Sequence, residues 1–177
     1  KDGRCNPTFT GTLDWTERQG GDDCENVIAD AIVKGLKGFD RKAAYDYVKW
    51  SAQNRRTPDY QRLGWQPETG GLMSCSTALE YAYNDYCAYE IAKKMGDKKF
   101  AKLMLNRSHS WQKIFNVEQK DEDSDIKGFV GPRKENGEFI NIPVRHNYGS
   151  WVEYFYEGNS WTNTLFTPHD FKSLIQF

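Results

Sequence analysis

One carboxylate in this sequence stands apart by its neighbours. Glu157 lies in Tyr154-Phe155-Tyr156-Glu157-Gly158-Asn159-Ser160-Trp161, set among aromatic residues and followed at once by a glycine. Burial among those rings would desolvate the acid and hold its proton in place, which is what a general acid requires near neutral pH. Gly158 lets the backbone turn, and Asn159 or Ser160 can cap a helix that begins near Trp161 and includes Thr164, Leu165 and Phe166. The plainer reading of the same stretch is a surface loop acid beside structural aromatics.

Other groups could also do chemistry. On a helix from Val27 to about Gly38, the residues Val27, Ile28, Ala31, Ile32, Gly35 and Leu36 share one face. Asp23, Asp30, Lys34 and Lys37 share the other, most simply a solvated face with an Asp30 to Lys34 pair worth about 0.2–0.5 kcal/mol. If that helix lines a cavity, the same face presents Asp30 to a ligand. Glu80 and Asp85 stand on a helix with apolar and aromatic residues nearly all round it, so they are the acids most exposed to burial and most in need of partners. His169 and Asp170 are adjacent, and adjacent helical residues diverge by about 100°, so a helix-start role suits them better than a metal pair or a dyad. Cysteines 5, 24, 75 and 87 match no zinc spacing. Cys5 with Cys24 could close a disulfide, as could other pairings.

The elements that must position these groups are mainly helices. Residues 1 to 22 are rich in glycine and read as loop or extended strand, with Asp22 and Asp23 where N-caps belong. Asp40 can cap a helix through Ala43, Tyr47, Val48 and Ser51, broken by Thr57-Pro58-Asp59. A long Gly, Pro and Trp loop spans about 60–73. The longest helix starts at Ser74 or Ser76 and runs to Met95 with Gly96 as its stop. Another runs from about Lys98 to Phe115, with Phe100, Leu103, Met104, Trp111, Ile114 and Phe115 inward and Lys99, Lys102, Asn106, Ser110 and Lys113 wet. Residues 118–127 read as an acidic solvated loop. Asn136-Gly137 is a strong hairpin signal and places a small β-hairpin near 128–143. A last helix opens at Pro168 and holds Phe171, Leu174, Ile175 and Phe177.

Composition narrows the function classes. At 38% apolar and 28% charged residues the chain can bury a core, and a net charge of −1 with interspersed signs gives no reason to expect nucleic acid as a partner. No apolar run approaches a membrane span. Six Trp, ten Tyr and ten Phe are compatible with stacking on sugar rings, although cores use the same residues. Neither a P-loop, a dinucleotide fingerprint, a nucleophile elbow nor an EF-hand loop is present. The sequon Asn106-Arg107-Ser108 and the cysteine content lean to a secreted or secretory-pathway protein. The chain starts without Met or a signal pattern and its last helix breaks off among apolar residues, so it reads as a processed or partial chain.

Helix pairs joined by loops suit an all-α fold of the (α/α)6-toroid type, incomplete here, with the β-hairpin as an insertion. Three motifs occur in order: Val27-Ile28-Ala29-Asp30-Ala31 with Lys34-Gly35; Ala78-Leu79-Glu80-Tyr81-Ala82-Tyr83 with Asp85-Tyr86-Cys87; and Glu157-Gly158-Asn159-Ser160-Trp161 with Phe166 and Pro168-His169-Asp170. Together, from about residue 20 to 177, they resemble the catalytic domain of the glycoside hydrolase family 92 α-mannosidases. The resemblance implies a calcium-dependent enzyme that removes terminal α-mannose from glycans with inversion. It implies Glu157 as general acid, Asp30 as a ligand for a sugar hydroxyl, and Asn159 and Trp161 as residues that support or line the substrate site. The family's N-terminal β-sandwich, general base and much of its metal shell would lie outside 1–177, which makes the remaining segments of the same enzyme its partners and leaves the metal ligands unassigned. Thr162 stands where family members commonly have Gln, and Gly20 to Glu25 depart from the family pattern. A carbohydrate-binding scaffold that kept the toroid and lost the chemistry is the competing reading, and a different helical-toroid glycosidase or lyase is a third.

Overall fold

The computed structural model describes residues 22–68, 73–146 and 153–177. The expected N-terminal loop, Cys5, and Gly70-Gly71 of the long loop lie outside the described residues. The described chain is mostly helical with a two-stranded antiparallel hairpin, and it divides into two compact units.

The first unit comprises residues 22–56 and Tyr81–Ser108. Helices α1 (Asp23–Val33), α2 (Arg41–Asn54) and α5 (Lys98–Ser108) pack here with the larger part of α4 (Ser74–Met95) around Ile32, Val48, Ala88, Ile91 and Met104. Asp40 accepts hydrogen bonds from the backbone N–H groups of Lys42 and Ala43 and so caps α2 as its sequence foretells. Gly96, in the left-handed region at φ 78°, closes α4. α1 ends earlier than its apolar pattern suggests. Gly35 takes φ 72°, and the N–H groups of Gly35 and Leu36 turn back to the carbonyls of Ile32 and Ala31, a Schellman stop. The face that packs also differs from the expected one: Val27 is 70% exposed, and the buried residues of α1 are Glu25, Ala29 and Ile32.

That face begins with a carboxylate because the unit contains a buried ionic cluster. Arg56 donates to Glu25 at 2.7 Å and to Asp85 at 3.1 Å, and Arg107 donates to the other Asp85 oxygen at 3.0 Å. Asp22 does not cap α1 with its side chain. It receives Ser51 Oγ, Arg55 at 2.9 Å and the Tyr47 hydroxyl. A buried carboxylate needs such donors to offset its desolvation. Burial still wins at Glu25, pushing its carboxyl up to about 7 against the pull of Arg56. The expectation that Asp85 needs a partner is met, while Glu80 is half-buried.

The second unit comprises Thr57–Glu80 and His109–Phe177. Its short helix α3 (Pro58–Leu63) is capped by Thr57, so Thr57-Pro58 both ends one helix and begins another. The predicted helix to Phe115 stops at Ser108 and continues as 3₁₀ turns, His109–Ile114, which bury Ser110 against its predicted side; within α5 itself Leu103, expected inward, is exposed. The hairpin differs from its expected position. β1 (Phe115–Lys120) pairs with β2 (Lys127–Val130), which takes residues 118–120 and Lys127 of the expected acidic loop into strands and leaves 121–126 as the loop between them, and Asn136-Gly137 makes a tight turn with a bridge between Arg133 and Phe139. The first arm of the expected hairpin is thus claimed by β1, whose Phe115 ring packs where a Cβ on Gly128 would come within 2.9 Å. The last helices, α6 (Ser160–Asn163) and α7 (Phe171–Leu174), are short.

Candidate active site

The Glu157 segment belongs to the second unit and is tied down at both ends. On its N-terminal side, the first turn of α4 supplies unpaired helix-end donors. The Tyr154 carbonyl accepts from the N–H groups of Cys75 (3.0 Å) and Ser76 (3.3 Å), the Glu153 carbonyl from that of Met73 (2.6 Å), and Ser76 Oγ accepts from the Tyr156 N–H (2.9 Å). The Phe155 side chain is fully buried. On its C-terminal side, Asn159 caps α6. Its side chain accepts from Thr162 N–H while Thr162 Oγ1 accepts from Asn159 N–H, a capping box. Thr162 is what closes that box.

Between the anchors Glu157 takes φ 44°, in the left-handed region where a residue with a Cβ is strained. Glu153 (φ 77°) and Met73 (φ 57°) share that condition. The backbone turn expected at Gly158 is therefore made by Glu157 itself. Gly158 is required for a different reason: a Cβ there would come within 2.6 Å of Asn163 Nδ2 and 2.8 Å of Thr162 Oγ1, striking the capping box.

Of the two readings of this stretch, the structure shows the plainer one, with Glu157 a surface loop acid. Its side chain is exposed, because the aromatics around it are engaged elsewhere. Trp161 packs against Phe129 (5.4 Å between centroids) and carries the Arg145 guanidinium over its ring at 4.3 Å. Tyr156 stays with the acid: burial and then the Glu157 charge and a hydrogen bond to it raise the phenol above its ordinary pKa. Sequence reasoning passed over Tyr156 as a partner and Arg145 altogether. The pairing Tyr156-Glu157 was legible as adjacency, but nothing local marks Arg145.

Asn159 and Trp161 thus share one short segment with Glu157, and their side chains support that segment. Asn159 Nδ2 also donates to the Arg145 carbonyl at 3.0 Å. Asp30 belongs to the first unit. It is exposed and paired with Lys34 at 2.7 Å, as its spacing predicted. It lines a cleft of about 340 Å³ between α1 and α4 together with Asn26, Tyr83, Tyr86 and Glu90. Ring faces beside amide and carboxylate oxygens can take a sugar's apolar face and its hydroxyls.

His169-Asp170 separates as expected for a helix start. Asp170 stands at the N-cap of α7 and takes hydrogen bonds from Trp111 Nε1 (3.0 Å) and Ser173 Oγ (2.6 Å), with His109 Nδ1 at 3.1 Å. Cys24 is disulfide-bonded, while Cys75 and Cys87 are buried free thiols. Asn106 is exposed, as its sequon requires. Among the described residues no three His, Cys, Asp or Glu side chains gather to hold a metal. No helix among them is long and apolar enough to cross a membrane.

Comparison with known proteins bears on the same residues. The chain is 31% identical over 191 residues to a protein of Arthroderma benhamiae named an uncharacterized secreted glycosidase, covering 89% of this chain and 24% of that one. Its structure is similar to that of a family GH92 alpha-mannosidase of Bacteroides thetaiotaomicron, with a TM-score of 0.77 and 31% identity over 91% of this chain and 20% of the other. It shares its fold with a family GH92 inverting mannosidase of Bacteroides thetaiotaomicron VPI-5482, with a TM-score of 0.73 and 21% identity over 89% and 21% of the two chains. The chain spans about a fifth to a quarter of the length of these relatives. Residues 1–177 all match the glycosyl hydrolase family 92 catalytic domain, and the chain belongs to that family.

Proposed function

We propose that the protein carrying this sequence is an exo-acting α-mannosidase. Acting outside the cell or in the secretory pathway, it removes terminal α-linked mannose from glycans by a calcium-dependent, inverting reaction in which Glu157 is the general acid. The observation that carries this reading is the Glu157 backbone: an exposed carboxylate on a left-handed, non-glycine residue, held between two hydrogen-bonded anchors, within a family 92 catalytic chain. Strain of about 1–3 kcal/mol at such a residue persists where the surroundings fix it, and it gathers at functional sites.

In this reaction the protonated Glu157 carboxyl gives its proton to the glycosidic oxygen as the bond from that oxygen to the anomeric carbon breaks. Water attacks from the opposite face and yields its proton to a second carboxylate, about 6.5–9.5 Å from the first in inverting enzymes. The resemblance assigns that base to a segment outside 1–177. Tyr156 orients the Glu157 carboxyl, and Asn159 and Trp161 keep the segment in place. Asp30, with the tyrosines of its cleft, is the candidate hydroxyl ligand. The helices are read as part of an α/α toroid.

The test is release of mannose from an aryl α-mannoside by the full-length protein, with calcium and with chelator, for the wild type and Glu157→Gln. Calcium-dependent release that Glu157→Gln abolishes on substrates with poor leaving groups supports the assignment. Binding of mannosides without any cleavage sinks the hydrolase and leaves a carbohydrate-binding scaffold.

A further inference from the structure

We infer that Arg145, held in place by Asp121, is a positioning residue for Glu157: it fixes the C-terminal anchor of the segment on which the acid stands. This rests on the assignment of Glu157 as the general acid.

Asp121 lies at the end of β1, in a stretch of acids that is mostly open to water, yet it is only 2% exposed. Its place is set locally, by Ser124 Oγ on its carboxylate (2.6 Å) and by its own N–H on the Ile126 carbonyl (3.0 Å). Arg145 meets it with both prongs of the guanidinium, Nε to Oδ1 at 2.6 Å and Nη2 to Oδ2 at 2.8 Å. This fork fixes the plane of the guanidinium as well as its distance. Hydrogen bonds from Arg145 first, and the Ser124 hydroxyl after them, hold the Asp121 carboxyl down to about 2, so the pair stays ionised across any working pH.

The fixed plane lies over Trp161, with the guanidinium carbon 4.3 Å from the ring centre. The backbone beneath the same arginine makes the other attachments. The Arg145 carbonyl accepts from Asn159 Nδ2 (3.0 Å), and the Val144 carbonyl accepts from Trp161 N–H (2.9 Å). Glu122, next to Asp121, accepts from the Val144 N–H at 2.6 Å. Residues 144 and 145 therefore grip positions 159 and 161 three times, two and four residues beyond Glu157. The grip at the other end comes from α4 and does not involve Arg145.

The Arg145 side chain is 46% exposed, and an ion pair so open to water contributes little to stability. Its consequence is positional. Without it the Glu157 segment keeps its N-terminal anchor and the two contacts to the 144 and 145 carbonyls, but the Trp161 ring loses the plane that holds it; the carboxyl is then less closely aimed, and misplacement of a reacting group by about 1 Å costs on the order of 100-fold.

The experiment compares two α-mannosides on the full-length protein. A 2,4-dinitrophenyl mannoside has a leaving group that departs without a proton, and methyl α-mannoside has one that needs it. Glu157→Gln serves as the reference, with an expected loss of about 10²- to 10⁴-fold in kcat on the methyl mannoside and little on the other. Arg145→Ala is expected to lower kcat on the methyl mannoside by about 10- to 100-fold, with KM changed by less than about twofold and the dinitrophenyl rate nearly kept. Arg145→Lys retains the charge without the fork or the stacked plane and recovers only part. Asp121→Asn loosens the same guanidinium and gives a smaller loss of the same kind, and it decides the matter if Arg145→Ala does not fold.

A Glu157→Gln variant that slows both substrates equally removes the general-acid assignment. If Glu157→Gln is selective but Arg145→Ala and Asp121→Asn slow both mannosides alike, or neither, the positioning role is overturned while the acid stands.

Discussion

Arg56→Met tests whether the buried ionic cluster of the first unit is held by its central cation. Arg56 donates to Glu25 at 2.7 Å and Asp85 at 3.1 Å, with all three side chains fully buried, and lies 5.0 Å from the centre of the Tyr81 ring. Two charge-assisted hydrogen bonds at about 1.5–3 kcal/mol each suggest about 3–6 kcal/mol. Asp85 keeps Arg107 at 3.0 Å, which reduces its share, and methionine refills part of the volume. The expected loss is about 3–5 kcal/mol, the range for breaking a buried pair by removing one partner. A large chain need not unfold in one step, so the measurement is amide hydrogen exchange on α1 and on α4 from Tyr81 onward. Protection there should fall by roughly two to four orders of magnitude.

The pH dependence is a second reading of the same cluster. The native Glu25 carboxyl sits at about 7, against 4.5 when unfolded, so between those values the native state binds the extra proton. Its contribution therefore lowers stability as pH rises from about 4.5 to about 7, and levels off above. Loss of Arg56 raises the carboxyl further, so the penalty should be larger at pH 8 than at pH 5, where Glu25 is protonated either way. The double variant Arg56→Met with Glu25→Gln should lose less than the sum of the singles. A drop in protection below about tenfold, or a penalty equal at both pH values, would refute the reasoning.

Two further expectations concern single sites. Gly158→Ala should displace Thr162 and Asn163 and open the capping box, costing about 0.5–2 kcal/mol. Thermal melts and mannose release by the full-length protein should both suffer, and a variant that keeps its melting point and its rate shows that the segment has room for a Cβ. Asp97 accepts from the Phe100 N–H, Lys49 and the Tyr45 hydroxyl, which hold its carboxyl down to about 2. Its contribution to stability is complete above the unfolded value of 3.8 and is lost as pH falls through about 2. Asp97→Asn should flatten that acid limb in melts taken from pH 5 to pH 2, and an unchanged limb counts against the assignment.

What the sequence determined by itself is what acts within about one turn of chain. Asp40 caps α2, Gly96 stops α4, Asn159 caps α6 and Asp30 pairs with Lys34 because donor and acceptor lie two to four residues apart, where backbone geometry alone brings them together. The ordered motifs that carry the family were legible in the same way, since each is a short stretch. The tertiary structure decided the rest. Nothing beside Glu25 in the sequence marks it for burial, and its reason is Arg56, 31 residues away. Asp170 finds His109 across 61 residues rather than its neighbour His169, and β2 pairs with the strand before it, with the Phe115 ring lying close over Gly128. Asp121 looks like one acid in a solvated run, and nothing in its neighbours announces that Arg145, 24 residues on, will lay it against the Glu157 segment. Long-range partners depend on which surfaces the fold brings together, and a buried charge is stable only where that meeting supplies its counter-charge.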